Sequence, residues 1–248
     1  MEPLTDFETQ VYRWQMWIDG IGDLGQRKLK AASVLISRVG GLGGTVALQL
    51  AAAGVGRLVL AHSGDIKPSD LHRQILMTET ALGTSRVACA AAELRERNPR
   101  CEIVEVPENI TPANALGLVR TVDIAVGAAP MFEERLALNA ACVELDRPMV
   151  DASMYGMSGA LTTIVPRETA CLACRVPEPP ETWTREFPVL GAVSATVGCL
   201  AAVEVVKWIC GFGELLTDRL LTFDLRDVRF TTITVKRRSD CEVCGSKG

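Results

Sequence analysis

Residues 33–37, Ser-Val-Leu-Ile-Ser, run directly into Val39-Gly40-Gly41-Leu42-Gly43-Gly44 and then into a helix-forming stretch, residues 45–53, that ends at Gly54. A β-rich run, a cluster of glycines and a helix in immediate succession constrain this chain more than any other feature. Glycine lets a backbone come close to a ligand, and the start of a helix leaves amide donors unpaired and aimed outward. Strand, glycine turn and helix are the opening of a nucleotide-binding βαβ unit. Taken alone the turn suits any phosphate, so a dinucleotide oxidoreductase stays in contention at this point.

The rest of the chain continues the same rhythm for about half its length. Residues 57–61 predict a second strand, 84–97 a helix, 101–106 a strand, 112–119 a helix, 122–126 a strand, 132–145 a helix and 148–152 a strand. The alternation then stops. Residues 158–165, 219–223 and 228–235 read as paired strands around a long helix at 193–209, so the sheet gains an antiparallel extension. Upstream, Trp14, Trp17, Ile18 and Leu29 recur at helical spacing and predict a helical entry over residues 8–30. The expected fold is α/β, a Rossmann-like, mostly parallel sheet with an antiparallel extension, in a single nucleotide-binding domain spanning 1–248. An aromatic content of only 5% suits a close-packed parallel sheet between helices. The Pro/Glu-rich stretch 176–188 is the one loop long enough to be functional in its own right.

Charge and hydropathy narrow the partners. The net charge is −4 and the lysines and arginines are scattered, which speaks against a nucleic-acid surface. The longest apolar run, 189–210, is interrupted by Glu204 and Lys207, and the N-terminus has no basic segment leading into an apolar one, so neither a membrane span nor a secretion signal is expected. The reading is cytoplasmic. An odd number of cysteines, nine, fits reduced thiols.

Four of those cysteines form a pattern. Cys171-Leu172-Ala173-Cys174 and Cys241-Glu242-Val243-Cys244 are two C-x2-C knuckles, and tetrahedral zinc takes four thiolates offered in such pairs. A full set of four leaves no open position, so the metal is expected to be structural, clamping the tail onto the segment after residue 170. Two independent redox dithiols are the alternative. Cys89, Cys101, Cys142, Cys199 and Cys210 stand among apolar neighbours and read as buried core residues.

The glycine turn travels with Asp70-Leu71-His72-Arg73-Gln74, Leu82-Gly83, Glu204-Val205-Val206-Lys207 and the two knuckles ending in Gly245. As a set, these residues resemble the MoeB/ThiF/HesA family, bacterial relatives of ubiquitin-activating enzymes, over nearly the whole chain. The resemblance implies that ATP lies over the turn shaped by Gly40, Gly41 and Gly43. It implies an adenylyltransferase: a carboxylate attacks the α-phosphate, pyrophosphate leaves, and an acyl-adenylate forms. The carboxylate is a small metabolite, a peptide or the C-terminus of a ubiquitin-like sulfur carrier. ATP and magnesium are the expected ligands, zinc the structural metal, and a homodimer the expected assembly. Arg73 and Gln74 carry over, with Arg73 on phosphate, while His72 needs no role because an ionised carboxylate has no proton to lose.

At several positions the chain departs from the family pattern. The glycine that would open the turn is Arg38, which either crowds the nucleotide or gives its phosphates a fixed charge. The ribose aspartate is replaced by His62, leaving Asp65 as the candidate after a loop shift. The asparagine before the Arg-Gln pair is Asp70. The helix lysine is Arg86, still cationic and better at a bidentate phosphate grip. The magnesium-linked aspartate falls on Pro130, so Asp151, at the carboxyl end of the strand 148–152, is the candidate magnesium ligand, with a strand-end aspartate satisfied by backbone amides as the other reading. The family arginine near the entry is Trp14, with Arg13 beside it. Arg38, Arg73 and Arg86 are thus expected to neutralise the triphosphate, with Arg73 and Arg86 in catalysis. The alternative is a pseudoenzyme of the same fold that binds and scaffolds a partner.

Overall fold

In the computed structural model, which describes residues 1–245, the first strand, β1 (Ser33–Ser37), turns Val34 and Ile36 to one side and Leu35 to the other, and all three are fully buried. A strand covered on both faces must sit inside a three-layer structure. Its neighbours show how. Strands β2 (Arg57–Ala61), β3 (Glu102–Val106), β4 (Ile124–Gly127) and β5 (Met149–Tyr155) join it in parallel, and β6 (Ser158–Ile164), β7 (Arg219–Asp224) and β8 (Arg229–Thr234) continue the same sheet antiparallel, in the order β3-β2-β1-β4-β5-β6-β7-β8. The predicted fold class is the observed one. The last three residues of the expected domain, 246–248, lie outside the described residues.

Before the sheet come α1 (Asp6–Met16) and α2 (Gly22–Ala31), and within it α3 (Gly41–Ala53), α4 (Arg86–Arg97), α5 (Ala115–Val119), α6 (Phe132–Glu144), the single turn α7 (Leu172–Arg175) and α8 (Gly191–Cys210). Helices α3, α4 and α8 cover one face, packing Val46, Leu50, Leu94, Val197 and Val205 onto Val34, Ile36, Leu58 and Leu60. Helices α5, α6 and α7 cover the other, with Val119, Leu138 and Leu172 against Leu35, Val59 and Met149. At about 25 cal/mol per Å² of apolar surface removed from water, these two layers supply most of the drive to fold.

Helix α8 is long and apolar enough to cross a bilayer by length and composition. Here it lies against α3, β5 and β6, and Gly198 is what lets it close in, since a Cβ there would come within 2.7 Å of the Leu42 carbonyl oxygen. Its one buried acid, Glu204, is satisfied by Thr163, the Leu216 amide and Lys207. Of the entry residues at helical spacing, Leu29 is core while Trp14, Trp17 and Ile18 are exposed; the anchors are Tyr12, whose hydroxyl accepts from Asn98, and Gln15 and Gln26, which both donate to the Ala53 carbonyl. Cys199 is also exposed, which corrects its reading as a core cysteine, and Cys89 is half-buried.

Candidate functional site

The connections reverse direction between β1 and β4, and in an open α/β sheet the crevice beyond the carboxyl ends of such strands is where ligands bind. A cavity of about 670 Å³ opens there. Gly40 and Gly41 form part of its wall, at the end of β1 where α3 begins. The glycines are dictated by contact: a Cβ on Gly43 would overlap the Arg38 carbonyl oxygen, and one on Gly41 would sit 3.2 Å from both the Arg73 carbonyl and Ser194. No side chain caps α3, so its first-turn amides have no intrahelical acceptor.

Six arginines and two aspartates line this cavity, a balance that favours a polyanion. Four of those arginines are already held by carboxylates. Arg38 has a backbone φ of +69°, a left-handed conformation that costs a non-glycine residue of order 1 kcal/mol or more. Its guanidinium grips Glu134 of α6 through both Nε (2.8 Å) and Nη2. Asp70 is buried between two arginines: Oδ2 accepts from Arg86 Nε (2.9 Å) and Nη2 (2.7 Å), Oδ1 from Arg73 Nη2 (3.2 Å) and Gln74 Nε2 (2.6 Å), and Lys67 N–H donates to Oδ2 as well. Burial works to raise the Asp70 pKa, but the Lys67 amide and the Arg86 and Arg73 charges outweigh it and hold the carboxyl below the usual aspartate range. Arg135 of α6 is paired bidentately to Asp151, at 2.9 and 2.7 Å, and Arg175 Nη2 reaches the same carboxylate. Here too burial opposes ionisation, and the two guanidinium groups win.

These contacts correct three expectations. Asp151 is 1% exposed, stands outside the cavity lining, and has both oxygens engaged by arginine, so it is not placed to hold magnesium; the backbone-amide alternative fails as well. Asp65 is exposed, pairs through its backbone with Ser85, and is not part of the cavity wall. The place at the end of β2 is taken by His62, 4% exposed, with Nδ1 fully buried and no partner. Burial, reinforced by the fields of Arg38 and Arg86 and less by Arg185, pushes its pKa down to about 3 against the opposing effect of Asp70, so the ring is neutral at ordinary pH. Third, Arg38 and Arg86 are not free cations, because each spends its fork on a buried carboxylate.

Gln74 contributes a second unpartnered group. Its amide nitrogen must face Asp70, which accepts only, so Oε1 is turned toward Gly40 and has no donor. His62 Nδ1 and Gln74 Oε1 are thus two buried polar atoms in one wall that have no partner among the described residues. His72 is exposed and lies 3.0 Å from Arg73 Nη1, and Arg13 stacks over Trp17 at 5.4 Å.

The segment 176–188 supplies part of the cavity wall. Trp183 donates from Nε1 to the Pro130 carbonyl at 2.8 Å and stands edge-on to Phe132, with Tyr155 and Phe187 stacked beyond it. Arg185 faces the cavity between these aromatics. The far end is formed by the antiparallel extension, where Ser158, Thr222 and Asp224 offer polar groups. Glu134, Arg135, Trp183 and Arg185 were not among the predicted site residues. The signal for the α6 pair was adjacent opposite charges just after the β4 strand end, on the ligand edge of the sheet.

Behind the sheet, Cys171, Cys174, Cys241 and Cys244 come together, all buried, with every sulfur within 4.8 Å of the others. Cys171 to Cys241 is 3.7 Å, Cys171 to Cys174 4.0 Å and Cys174 to Cys244 3.3 Å. Four thiolates on a tetrahedral ion with bonds of about 2.3 Å sit roughly 3.8 Å apart, so the set fits zinc. The Arg238 amide donates to Cys174 Sγ at 3.4 Å, the kind of surrounding bond that orients a thiolate.

The sequence matches the ThiF family over residues 12–243. It is 46% identical over 246 residues to the vegetative HesA protein of Trichormus variabilis, covering 99% of this chain and 93% of that one. It is 37% identical to the maize (Zea mays) adenylyltransferase and sulfurtransferase MOCS3-1, covering 95% of this chain and about half, 52%, of that one. Among solved structures, E. coli MccB with ATP superposes with a TM-score of 0.81 at 28% identity, covering 90% of this chain and 69% of that one. MccB with MccA-N7isoASN superposes with a TM-score of 0.86 at 25% identity, covering 95% and 75%.

Proposed function

The chain belongs to the ThiF family, and from that premise we propose that it is an ATP-dependent adenylyltransferase that activates a carboxylate as an acyl-adenylate. The observation that carries this reading is a single cavity that joins the glycine turn and an arginine surplus at one end to a polar antiparallel face at the other. A nucleotide and an acyl group need such adjoining compartments. That MccB has been solved with ATP supports the nucleotide end of the assignment.

In this reading the amides at the start of α3 and the Arg73 guanidinium hold the phosphates, Gln74 Oε1 accepts from a nucleotide donor, and His62 faces the ribose in place of an aspartate. The acyl carboxylate enters along β6 and β7. One of its oxygens bonds to the α-phosphorus, the bond from that phosphorus to the bridging oxygen breaks, and pyrophosphate leaves with the electron pair. No proton moves, so no general base is required. The chain's contribution is orientation and fixed positive charge. Zinc at the four cysteines is structural, since all four positions are thiolate. A homodimer and a cytoplasmic location complete the proposal.

One observation favours a second reading, a scaffold without turnover: Arg38 and Arg86 are engaged by carboxylates and His62 replaces an acid. Carboxylate-dependent exchange of labelled pyrophosphate into ATP separates the two. We expect exchange with at least one member of a panel of small carboxylates, peptides and ubiquitin-like carrier tails. Nucleotide binding with no exchange across that panel would overturn the enzyme reading in favour of the scaffold.

A further inference from the structure

Magnesium is the ion the family resemblance implies beside the triphosphate, and the donor set here does not fit it. Magnesium needs one or two carboxylates with oxygens to spare. Two aspartates line the cavity. Both oxygens of Asp70 are occupied by Arg73, Gln74, Arg86 and the Lys67 amide. Asp224 stands on β7, three strands from β4, where it accepts from Ser158 and the Arg226 amide. Asp151 is sealed between Arg135 and Arg175. Pro130, where the family's aspartate falls, offers only a carbonyl, and Trp183 holds it.

The charge that is missing as metal is present as guanidinium. Asp70 is shared by Arg73 and Arg86, and Asp151 by Arg135 and Arg175, so each trio keeps one positive charge in excess. Arg185 adds another. It lines the cavity and makes no ion pair among the described residues. Its position is not left to a loose loop: Trp183, two residues earlier, is pinned to Pro130, and Phe187, two residues later, stacks on Tyr155 with their rings 6.0 Å apart. An exposed, unpaired guanidinium on a backbone pinned at both sides, lining the same cavity as the glycine turn, is suited to grip phosphate bidentately.

We propose that Arg185 is a phosphate-contacting residue of the nucleotide site, and that with the excess positive charge of the two arginine trios held in the surrounding wall this chain binds ATP with little dependence on divalent cations. The inference rests on the ATP reading above. The same segment therefore both lines the cavity and delivers the cation. ATP docks beneath it, and its terminal phosphates meet Arg185 where AMP has none to offer.

Calorimetric titration of the full chain, with its cysteine-bound zinc verified, tests this in buffer freed of divalent cations by resin and in the same buffer with magnesium chloride. We expect the ATP affinity to differ by less than about threefold between the two buffers. Arg185→Ala should weaken ATP by about tenfold or more in the metal-free buffer, the size of one phosphate contact of about 1.4 kcal/mol, and AMP by less than about threefold. Arg185→Lys should recover part of the loss. A tenfold or greater fall in wild-type affinity when magnesium is withheld, or an Arg185→Ala variant that matches wild type for ATP, overturns the inference and leaves the adenylyltransferase reading standing. No ATP binding in either buffer removes both.

Discussion

Two aspartates in this molecule are each clasped by two arginines, and they are not equivalent. Asp70 belongs to the cavity wall: Arg73 keeps about a quarter of its side chain exposed, and Asp70 binds neighbours within its own loop as well as Arg86 from α4. Asp151 belongs to the interior: its side chain is 1% exposed and it joins α6 to α7 across the sheet edge. The first trio can exchange its contacts with a ligand, because water already reaches Arg73. The second stands behind the wall, with neither Asp151 nor Arg175 lining the cavity, and it works as a strut that fixes Arg135 there. The same composition yields a binding surface in one place and a brace in the other, and position relative to the cavity makes the difference.

Breaking the brace should have the largest effect. Asp151→Asn leaves the buried Arg135 and the part-buried Arg175 uncompensated behind the cavity wall and should cost about 3–5 kcal/mol in urea unfolding, whereas Asp70→Asn, at the cavity wall, should cost measurably less. Equal losses would erase the distinction. Next in size is metal removal. Stripping zinc with a chelator should release the segment around Cys174 and, through the adjoining Arg175, loosen the Asp151 trio while the Asp70 trio stays protected. Hydrogen exchange at α6 and α7 against that at residues 67–74 reads this directly, and uniform loss of protection would contradict it.

The smallest effect concerns the cavity wall alone. His62 is held at a pKa of about 3, whereas an exposed histidine titrates near 6.5. Its neutral state, enforced by burial and faced by Arg38, Arg86, Arg185 and Asp70, contributes stability that is complete above pH 6.5 and declines as the pH falls through that value toward 3. Down to about pH 5, before most carboxylates titrate, the slope should approach 1.4 kcal/mol per pH unit at most. His62→Gln should flatten it. The only other histidine, His72, is exposed, so an unchanged slope would show that His62 is not buried as described.

The contrast also explains what could be read from the sequence. Strands β1 and β2 were legible to the residue, because each is a short β-rich run with a glycine close by in the opening of a nucleotide-binding βαβ unit. Strand β5 runs three residues past the expected Ala152, since Ser153, Met154 and Tyr155 pair with β6, a partner no local pattern announces. The glycine turn and the four cysteines were legible because spacing alone carries their chemistry. The arginines were legible as residues but not as charges. Nothing near Arg38 indicates that Glu134, 96 positions away, will neutralise it, and Asp151 looked like a free strand-end ligand until Arg135 and Arg175 were placed beside it. Motifs give identity; the state of a charge depends on neighbours that are distant along the chain.

The cysteine cluster also sets an order in time. Cys171 and Cys241 are separated by 70 positions, and α8, β7 and β8 are synthesised between them. A nascent chain can therefore lay down β1 to β5 and the whole glycine turn while the second cysteine pair does not yet exist. Arg175, which adjoins the first pair, can be braced by the tail only after the second pair has been made, and Arg135 shares its carboxylate partner. On this schedule the phosphate turn is among the first parts of the site to form and the opposite wall among the last, so a chain starved of zinc during synthesis would carry a finished turn facing an unfinished wall.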